Sequence, residues 1–134
     1  MSLYVDSSAL LKRYVDEPDS ELADSFLLGD ELLLTARHTI VEVRRNLARL
    51  LEGRDLARAR TGFAEDLEFL SIVELDELTC EGAAAISEVT GVRTLDALHL
   101  AAAQRVGGPA VPFLTFDIRQ AQAARALGLI VVGT

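Results

Sequence analysis

An almost wholly apolar stretch near residue 100 contains two residues that could do chemistry. The sequence TLDALHLAAA, residues 94–103, is helix-forming, and a helix that is apolar all round is normally buried. Asp96 and His99 lie three residues apart and therefore share one face of this helix. A buried carboxylate is costly unless it is paired, hydrogen-bonded or bound to a metal. The pattern therefore predicts a partner or a cation for Asp96.

Three further acidic residues lie where they can join Asp96. Asp6 ends the first apolar run, Asp117 follows the run FLTF, and Glu42 lies near the start of an amphipathic segment. Carboxylates that converge repel one another unless they are protonated or hold cations. Oxygen-only ligands suit Mg²⁺ or Mn²⁺, which lower the pKa of water and stabilise the charge of a phosphoryl transition state. Convergence of the four acids would therefore make a metal-dependent site.

Each acid also has a plain structural explanation. Asp6 suits a turn, Asp117 suits the N-cap of the next helix, and Asp96 suits a helix N-terminus through the helix dipole. Glu42 can pair with Arg45 at the (i, i+3) spacing. The prediction of a site depends on all four acids converging.

Short apolar runs alternate with helical segments, and these elements must position the acids. Strands are predicted at residues 2–6, 31–35, 71–76, within 110–117 and at 129–132. Helices are predicted at residues 7–17, 19–29, 37–53, 56–70, 79–90, 95–106 and 118–127. Ser7 or Ser8 is expected to cap the first helix and Thr94 the sixth, and Gly53 is expected to end the third. Pro112 indicates a strand near a sheet edge or one with an irregular start.

Strands that alternate with helices indicate an α/β fold, in which a central, mainly parallel sheet is flanked by helices on both faces. The 134 residues suit a single domain, residues 1–134. In such sheets, functional sites form at the carboxyl ends of the strands. We therefore expect Asp6 and Asp117 at the same sheet edge, and we expect the helices that carry Glu42 and Asp96 to begin there.

The composition narrows the function classes. Half of the residues are hydrophobic, which is enough for a core, and no apolar run is long enough to span a membrane. The first residues lack the pattern of a signal peptide, so we expect an intracellular, cytoplasmic protein. Cys80 is the only cysteine, which excludes a disulfide framework and a thiolate metal site.

The charge balance points in two directions. The net charge of −8 by itself weighs against a surface that binds nucleic acid. The bias toward arginine over lysine suits phosphate recognition, but it also follows from GC-rich coding, which is the explanation we favour.

Four motifs in order give the chain a resemblance to the PIN-domain ribonucleases. They are LYVDSSALLKRY, TIVEVRRNLARL, RTLDALHLAAA and FLTFDIRQAQAARALGLIVV, and their order, spacing and context match over essentially the whole chain. The closest likeness is to the VapC-type toxins of bacterial toxin–antitoxin pairs. The chain departs from the pattern after the last acid, where Arg119 and Gln120 stand and many relatives carry another acidic residue or Asn.

The resemblance implies a Mg²⁺- or Mn²⁺-dependent endoribonuclease, the toxin of a type II toxin–antitoxin system, that hydrolyses RNA phosphodiesters with metal-activated water. It implies that Asp6, Asp96 and Asp117 hold the metal directly or through water and that Glu42 holds or orients the ion and the water. Thr115 matches the family's hydroxyl position two residues before the last acid. The implied partners are an antitoxin protein, the RNA substrate and a second copy of the chain.

The remaining polar residues near these motifs have simpler expectations. His99 is expected to be satisfied within or beside the core rather than to be a ligand. His38, on the same helix face as Glu42, is expected to be exposed. Four arginines are candidates for contacts with an RNA backbone: Arg13, Arg44, Arg45 and Arg93.

Other classes of protein also gather acids at a sheet edge. A haloacid-dehalogenase-like phosphotransferase needs a second Asp two residues after its nucleophile, and Ser8 stands two residues after Asp6. A receiver domain needs a lysine after a late strand, and the only lysine is Lys12. A non-toxin PIN nuclease of RNA processing and a degenerate PIN adaptor remain as alternatives, although four intact acids argue against the adaptor.

Overall fold

The computed structural model of the protein describes residues 1–29 and 32–134. Over these residues the strands are β1 Ser2–Val5, β2 Leu32–Ala36, β3 Ser71–Val73, β4 Phe113–Leu114 and β5 Val131–Val132. The helices are α1 Ser7–Leu11, α2 Ser20–Leu27, α3 Thr39–Leu50, α4 Gly53–Leu67, α5 Glu77–Thr90, α6 Thr94–Arg105 and α7 Ile118–Ala126, with a short 3₁₀ helix at Gly108–Ala110. The predicted order of the elements is confirmed, and Glu31, the predicted first residue of the second strand, lies outside the described residues.

The five strands form one parallel sheet in the order β3-β2-β1-β4-β5. Strand β1 lies at the centre, where Tyr4 pairs with Leu34 of β2 and Phe113 of β4. The chain proceeds from β1 to β2 on one side and returns to β4 on the other, so β1 and β4 flank a topological switch point. Ligands of α/β sheets bind in the crevice at the carboxyl end of such a point.

Alternate residues of β1 feed two separate cores, one on each face of the sheet. Tyr4 packs with Leu100 of α6 and Phe113 of β4 on the face that α5, α6 and α7 cover. Leu3 and Val5 pack on the opposite face, against residues of α1, α2, α3 and α4. This alternation follows from the two-residue period of a strand. Because both faces are covered, the predicted α/β fold is confirmed.

Helix α1 begins and ends at other residues than the predicted ones. Its N-cap is Asp6, whose Oδ1 accepts a hydrogen bond from the Ala9 N–H at 3.1 Å, so the prediction of Ser7 or Ser8 as the cap is wrong. Aspartate caps a helix as well as serine does, and β1 ends one residue before it. The helix ends at Leu11, six residues short of the predicted end.

Tertiary contacts explain why α1 ends early. The chain turns after this helix, and Arg13 and Tyr14 both donate hydrogen bonds to Asp66 of α4, at 2.7 and 2.6 Å. A continued helix would point these two side chains in different directions. The contact with α4 therefore replaces the last turns of the predicted helix.

Two more helix ends differ from the sequence prediction. Gly53 does not end α3 but is the first residue of α4, and its φ of 59° suits glycine. Arg93, not Thr94, is the N-cap of α6, and it forms no side-chain cap hydrogen bond. Strand β4 begins irregularly, after Pro112 and the 3₁₀ helix, and it lies inside the sheet rather than at its edge.

No helix of the described chain has both the length and the apolar character needed to cross a membrane.

Packing of α6 against the sheet depends on Leu100, whose side chain is completely buried. We expect Leu100→Ala to lower the free energy of unfolding by about 2–5 kcal/mol, because it removes buried methyl groups and leaves a cavity. Urea denaturation measures this change. The matched control is Leu78→Ala on α5, whose side chain is exposed and should cost at most about 0.5 kcal/mol. Equal losses in the two variants would contradict the description of the core.

Candidate active site

Asp6 lies at the carboxyl end of the central strand and is 3% exposed. Its Oδ1 accepts hydrogen bonds from the Ser8 hydroxyl at 2.6 Å and from the Ala9 N–H at 3.1 Å. Burial raises the pKa of this carboxyl, while the positive potential of His99 and the bond from Ser8 oppose the rise. The carboxylate is therefore held in place by α1 but is incompletely stabilised when it carries a charge.

The end of β4 is joined directly to this carboxylate. The Thr115 hydroxyl lies 3.3 Å from the Ser8 hydroxyl and accepts a hydrogen bond from the Asp117 N–H at 3.1 Å. Ser8 also accepts a bond from the Phe116 N–H at 3.1 Å. Thr115 is fully buried, and its two contacts join the loop between β4 and α7 to α1.

Asp117 is the N-cap of α7, as its plain structural explanation supposed. Its Oδ1 accepts hydrogen bonds from the backbone N–H groups of Arg119 and Gln120 at 2.9 and 3.2 Å. Both bonds end on the same oxygen, so the second oxygen of the carboxylate has no part in the cap. Capping and a role at the sheet edge are therefore compatible for this residue.

Asp96 lies in the first turn of α6, and the pKa of its carboxyl is shifted by the other three acids. Burial raises the pKa of its carboxyl, and the charge of Asp117 is the next largest cause. The charges of Asp6 and Glu42 also raise it, and His99 opposes them. Asp6, Glu42 and Asp117 therefore all lie within electrostatic range of Asp96, and Asp117 lines the same groove as Asp96.

Hydrogen bonds between helices hold this edge together. The Gln120 side-chain amide of α7 donates to the Asp96 carbonyl of α6 at 3.2 Å. His38, just before α3, contacts the Leu95 carbonyl of α6 at 3.0 Å. The first turns of α3, α6 and α7 are thereby fixed relative to one another.

Glu42 is held by a chain of buried polar groups that runs into the core. Its Oε1 lies 2.7 Å from His99 Nε2, and His99 Nδ1 lies 2.8 Å from the Tyr4 hydroxyl. A carboxylate only accepts, so the Nε2–H donates to Glu42. Burial raises the pKa of Glu42, but the hydrogen bond from His99 and the electrostatic influence of the His99 and His38 rings outweigh it and leave the pKa lowered. Glu42 therefore differs from Asp6 and Asp96, whose pKa values are raised.

The expectation that His99 is satisfied within the core is confirmed, since its side chain is buried and both of its ring nitrogens have protein partners. The expectation that His38 is exposed is wrong, because its side chain is 8% exposed. A carbonyl oxygen only accepts, so His38 Nε2 carries a proton toward Leu95, and Nδ1 has no partner among the described residues. Burial lowers the pKa of His38 to about 4, with the nearby His99 as the second cause. His38 is therefore neutral at neutral pH.

The roles of Tyr4 and Ser8 were not predicted from the sequence. A tyrosine inside a buried strand needs a partner for its hydroxyl, which was a usable sign. The pairing of Glu42 with Arg45 that served as an alternative is not found, because the described partners of the Glu42 carboxylate are His99 and His38. Arg13 is paired with Asp66 at 2.7 Å, away from the four acids.

The donor groups of this edge fit a divalent cation. Burial raises the pKa of Asp6, and burial together with the charges of the other acids raises the pKa of Asp96, so these carboxylates would gain from a nearby positive ion. Carboxylate oxygens suit Mg²⁺ or Mn²⁺. His38, Glu42 and His99 also place one ligand atom each within 4.8 Å of the others, a set with the nitrogen donors that later transition metals prefer.

Comparisons with known proteins agree with this geometry. The family model for the PIN domain matches residues 3–126. Ribonuclease VapC46 of Mycobacterium tuberculosis is 33% identical over 131 residues, which cover 98% of this chain and 96% of that protein. Ribonuclease VapC35 of the same species is 35% identical over 134 residues, which cover 97% and 95%.

Solved structures share the fold. VapC20 of Mycobacterium tuberculosis, a toxin that cleaves the sarcin–ricin loop, superposes with a TM-score of 0.71 at 17% identity over 91% of this chain and 95% of that one. A toxin–antitoxin complex from Klebsiella pneumoniae also gives 0.71, at 16% identity over 98% and 97%. The family model covers most of the chain, and the relatives match it nearly end to end. The chain therefore belongs to the PIN-domain family.

Proposed function

We propose that this protein is a Mg²⁺- or Mn²⁺-dependent endoribonuclease and the toxin of a VapBC-like toxin–antitoxin pair. The observation that carries the proposal is that Asp6, Glu42 and Asp117 all act electrostatically on Asp96 beside the switch point of a PIN-domain sheet. The relatives named as VapC ribonucleases, similar over nearly the whole chain, supply the reaction class.

The cation site is assigned to the four acids. Asp6, Asp96 and Asp117 hold the ion, and Glu42 holds or orients the ion and water. A bound divalent ion supplies positive charge that activates water and stabilises the phosphodiester in its transition state. Because the four carboxylates are carried by four different helices, each is positioned separately by the packing of its own helix.

The chain's other residues keep these carboxylates in position. Ser8 and the backbone of α1 hold Asp6 through one oxygen, Oδ1, so Oδ2 takes no part in these two bonds. Thr115 orients the Asp117 backbone and contacts Ser8. His99 donates a hydrogen bond to the Glu42 carboxylate and so favours its ionised form.

The proposed partners follow from charge and exposure. The net charge of −8 favours a basic segment of an antitoxin, through electrostatic steering. Three of the acids have an exposed apolar residue next to them in the sequence: Val41 before Glu42, Leu95 before Asp96, and Ile118 after Asp117. Exposed apolar side chains near the site suit contact with a protein, either the antitoxin or a second copy in a homodimer. The RNA substrate places the protein's action in the cytoplasm.

Metal dependence tests the proposal directly. We expect purified protein to cleave bacterial RNA with Mg²⁺ or Mn²⁺, to stop in EDTA and to recover when Mg²⁺ is returned, because the uncompensated acids repel the phosphate. Gel analysis and sequencing of the RNA ends measure cleavage and show which RNA is cut. Circular dichroism in EDTA serves as the control for folding. Undiminished cleavage in the chelated sample would contradict the proposal.

Asp96→Asn separates catalysis from stability. We expect it to abolish cleavage and, in EDTA at neutral pH, to raise the free energy of unfolding. Burial and neighbouring charges raise the pKa of Asp96 above its ordinary value of 3.8, so the wild type loses stability as pH rises from 3.8 through the folded pKa. The gain in the free energy of unfolding should therefore vanish in acid, where the wild-type carboxyl is protonated in both the folded and the unfolded protein.

Urea denaturation of the metal-free proteins across this pH range measures the gain. Glu65→Gln, which removes one exposed negative charge from α4, is the matched control for net charge. A stability difference that is the same at every pH, or a cleavage rate equal to the wild type, would remove Asp96 from the acidic site.

His99 is proposed as a positioning residue for Glu42. We expect His99→Leu to reduce both cleavage and Mn²⁺ affinity, because Glu42 and Tyr4 lose their shared partner. His99→Gln should recover part of both, since its amide again offers a donor and an acceptor. Cleavage rates and Mn²⁺ titration followed by electron paramagnetic resonance give the two readouts.

Leu100→Ala, in the same helix, controls for general destabilisation because it leaves the polar chain intact. If His99→Leu and Leu100→Ala changed Mn²⁺ affinity equally, or if His99→Gln recovered nothing, His99 would have only a packing role.

A further inference from the structure

A groove of about 710 Å³ opens beside the acidic site, between the C-terminal end of α5, the start of α6 and one face of α7. Asp96 and Asp117 line one end of it, and Arg93 and Arg119 line it close to these acids. Its apolar lining includes Leu127. We refer to this feature as the arginine groove.

Local sequence places Arg93 at the mouth of the site. Gly91 ends α5 in the left-handed conformation, with φ of 75°, so the chain reverses within three residues before α6 begins. Arg93 is therefore the N-cap of α6 and stands one helical turn before Asp96. A residue with a Cβ at position 91 would strain this reversal.

The opposite wall is one face of α7. Arg119, Ala123 and Leu127 recur every four residues, the spacing of a single helix face. The segment from Asp117 to Leu127 is about 15 Å long at 1.5 Å per residue. The wall therefore extends from the acids, past an arginine, to an apolar end.

Three arginines elsewhere in the chain are held in ion pairs, whereas the two groove arginines are not in an ion pair with any described residue. Arg13 pairs with Asp66, Arg37 with Glu74, and Arg105 with Asp76. Within residues 1–29 and 32–134, neither Arg93 nor Arg119 has a carboxylate oxygen within the 4.0 Å of an ion pair. Their guanidinium groups are exposed and free to bind an anion.

We propose that the arginine groove binds the single-stranded RNA that adjoins the scissile phosphate, with Arg93 and Arg119 contacting neighbouring phosphates. The inference rests on the proposed ribonuclease function and adds to it the place of substrate binding. A guanidinium matches phosphate in charge and geometry, and the apolar lining suits the faces of bases. The chain has a net charge of −8, so the two unpaired arginines beside the acids provide local positive charge that can guide the RNA to the acidic site.

The test measures RNA binding without cleavage. All variants carry Asp6→Asn, which keeps an acceptor at the cap of α1 and is expected to be inactive, and gels confirm that the RNA stays intact. A fluorescein-labelled twelve-nucleotide single-stranded RNA of mixed sequence is titrated in Mg²⁺ by fluorescence anisotropy. The variants are Arg93→Ala, Arg119→Ala, the double variant and Arg60→Ala, a matched control that removes an exposed arginine from α4.

We expect the double variant to weaken binding on the order of tenfold and to lower the slope of log affinity against log salt by about 1.4, since each lost phosphate contact on a single strand contributes about 0.7. The single variants should fall between, and Arg60→Ala should match its parent. Lysine at both groove positions should recover most of the affinity, because it restores the charges.

A double variant that binds RNA as Arg60→Ala does would overturn the proposal. Loss of binding to a co-purified antitoxin with unchanged RNA affinity would also overturn it, and would assign the groove to a protein partner. Cleavage by the chain without Asp6→Asn is measured in parallel. If that chain cleaves RNA and its groove variants have an unchanged KM, the groove fails and the ribonuclease function stands. If it cleaves no RNA at all, the proposed function itself fails.

Discussion

Four carboxylates repel one another at the carboxyl edge of the sheet, and the arrangement of the helices offsets part of that repulsion. Asp6 and Asp117 are N-caps of α1 and α7, and Glu42 and Asp96 lie in the first turns of α3 and α6. Each acid therefore lies at the positive end of a helix, which stabilises a negative charge by about 0.3–1 kcal/mol. The pKa values of Asp6 and Asp96 are nevertheless raised, so the helix ends do not fully compensate. A divalent cation bound at the proposed site would neutralise that remaining charge.

Glu42 is stabilised by a different means from the other acids. Its carboxylate accepts a hydrogen bond from His99, which contacts Tyr4 in the central strand. This chain of three side chains joins the first turn of α3, the second turn of α6 and the middle of β1. The position of Glu42 thus depends on the packing of α6 on the sheet, and the same packing places Asp96 at the edge. The packing of α6 on the sheet therefore determines the positions of two of the four acids.

The distribution of charge matters more to this protein than its total. A net charge of −8 is unfavourable for a protein that binds RNA, yet part of the negative charge is concentrated where a cation can neutralise it. Arg93 and Arg119 lie next to that concentration and are not neutralised by ion pairs among the described residues. Over such short distances unpaired charges are felt strongly, whereas distant surface charges are screened by salt. An acidic protein can therefore carry a local surface suited to phosphates.

The sequence by itself determined the α/β order, the parallel sheet and the acids at its carboxyl edge, because each follows from patterns within about ten residues: alternating runs, strand ends and helix starts. It did not determine that His38 is buried, that Asp6 caps α1, or that Tyr4, His99 and Glu42 form one chain. Tyr4 and His99 are 95 residues apart and His99 and Glu42 are 57 apart. Only the strand order and the seating of α6 on the sheet bring such distant side chains within 3 Å, so these contacts were decided by the tertiary structure.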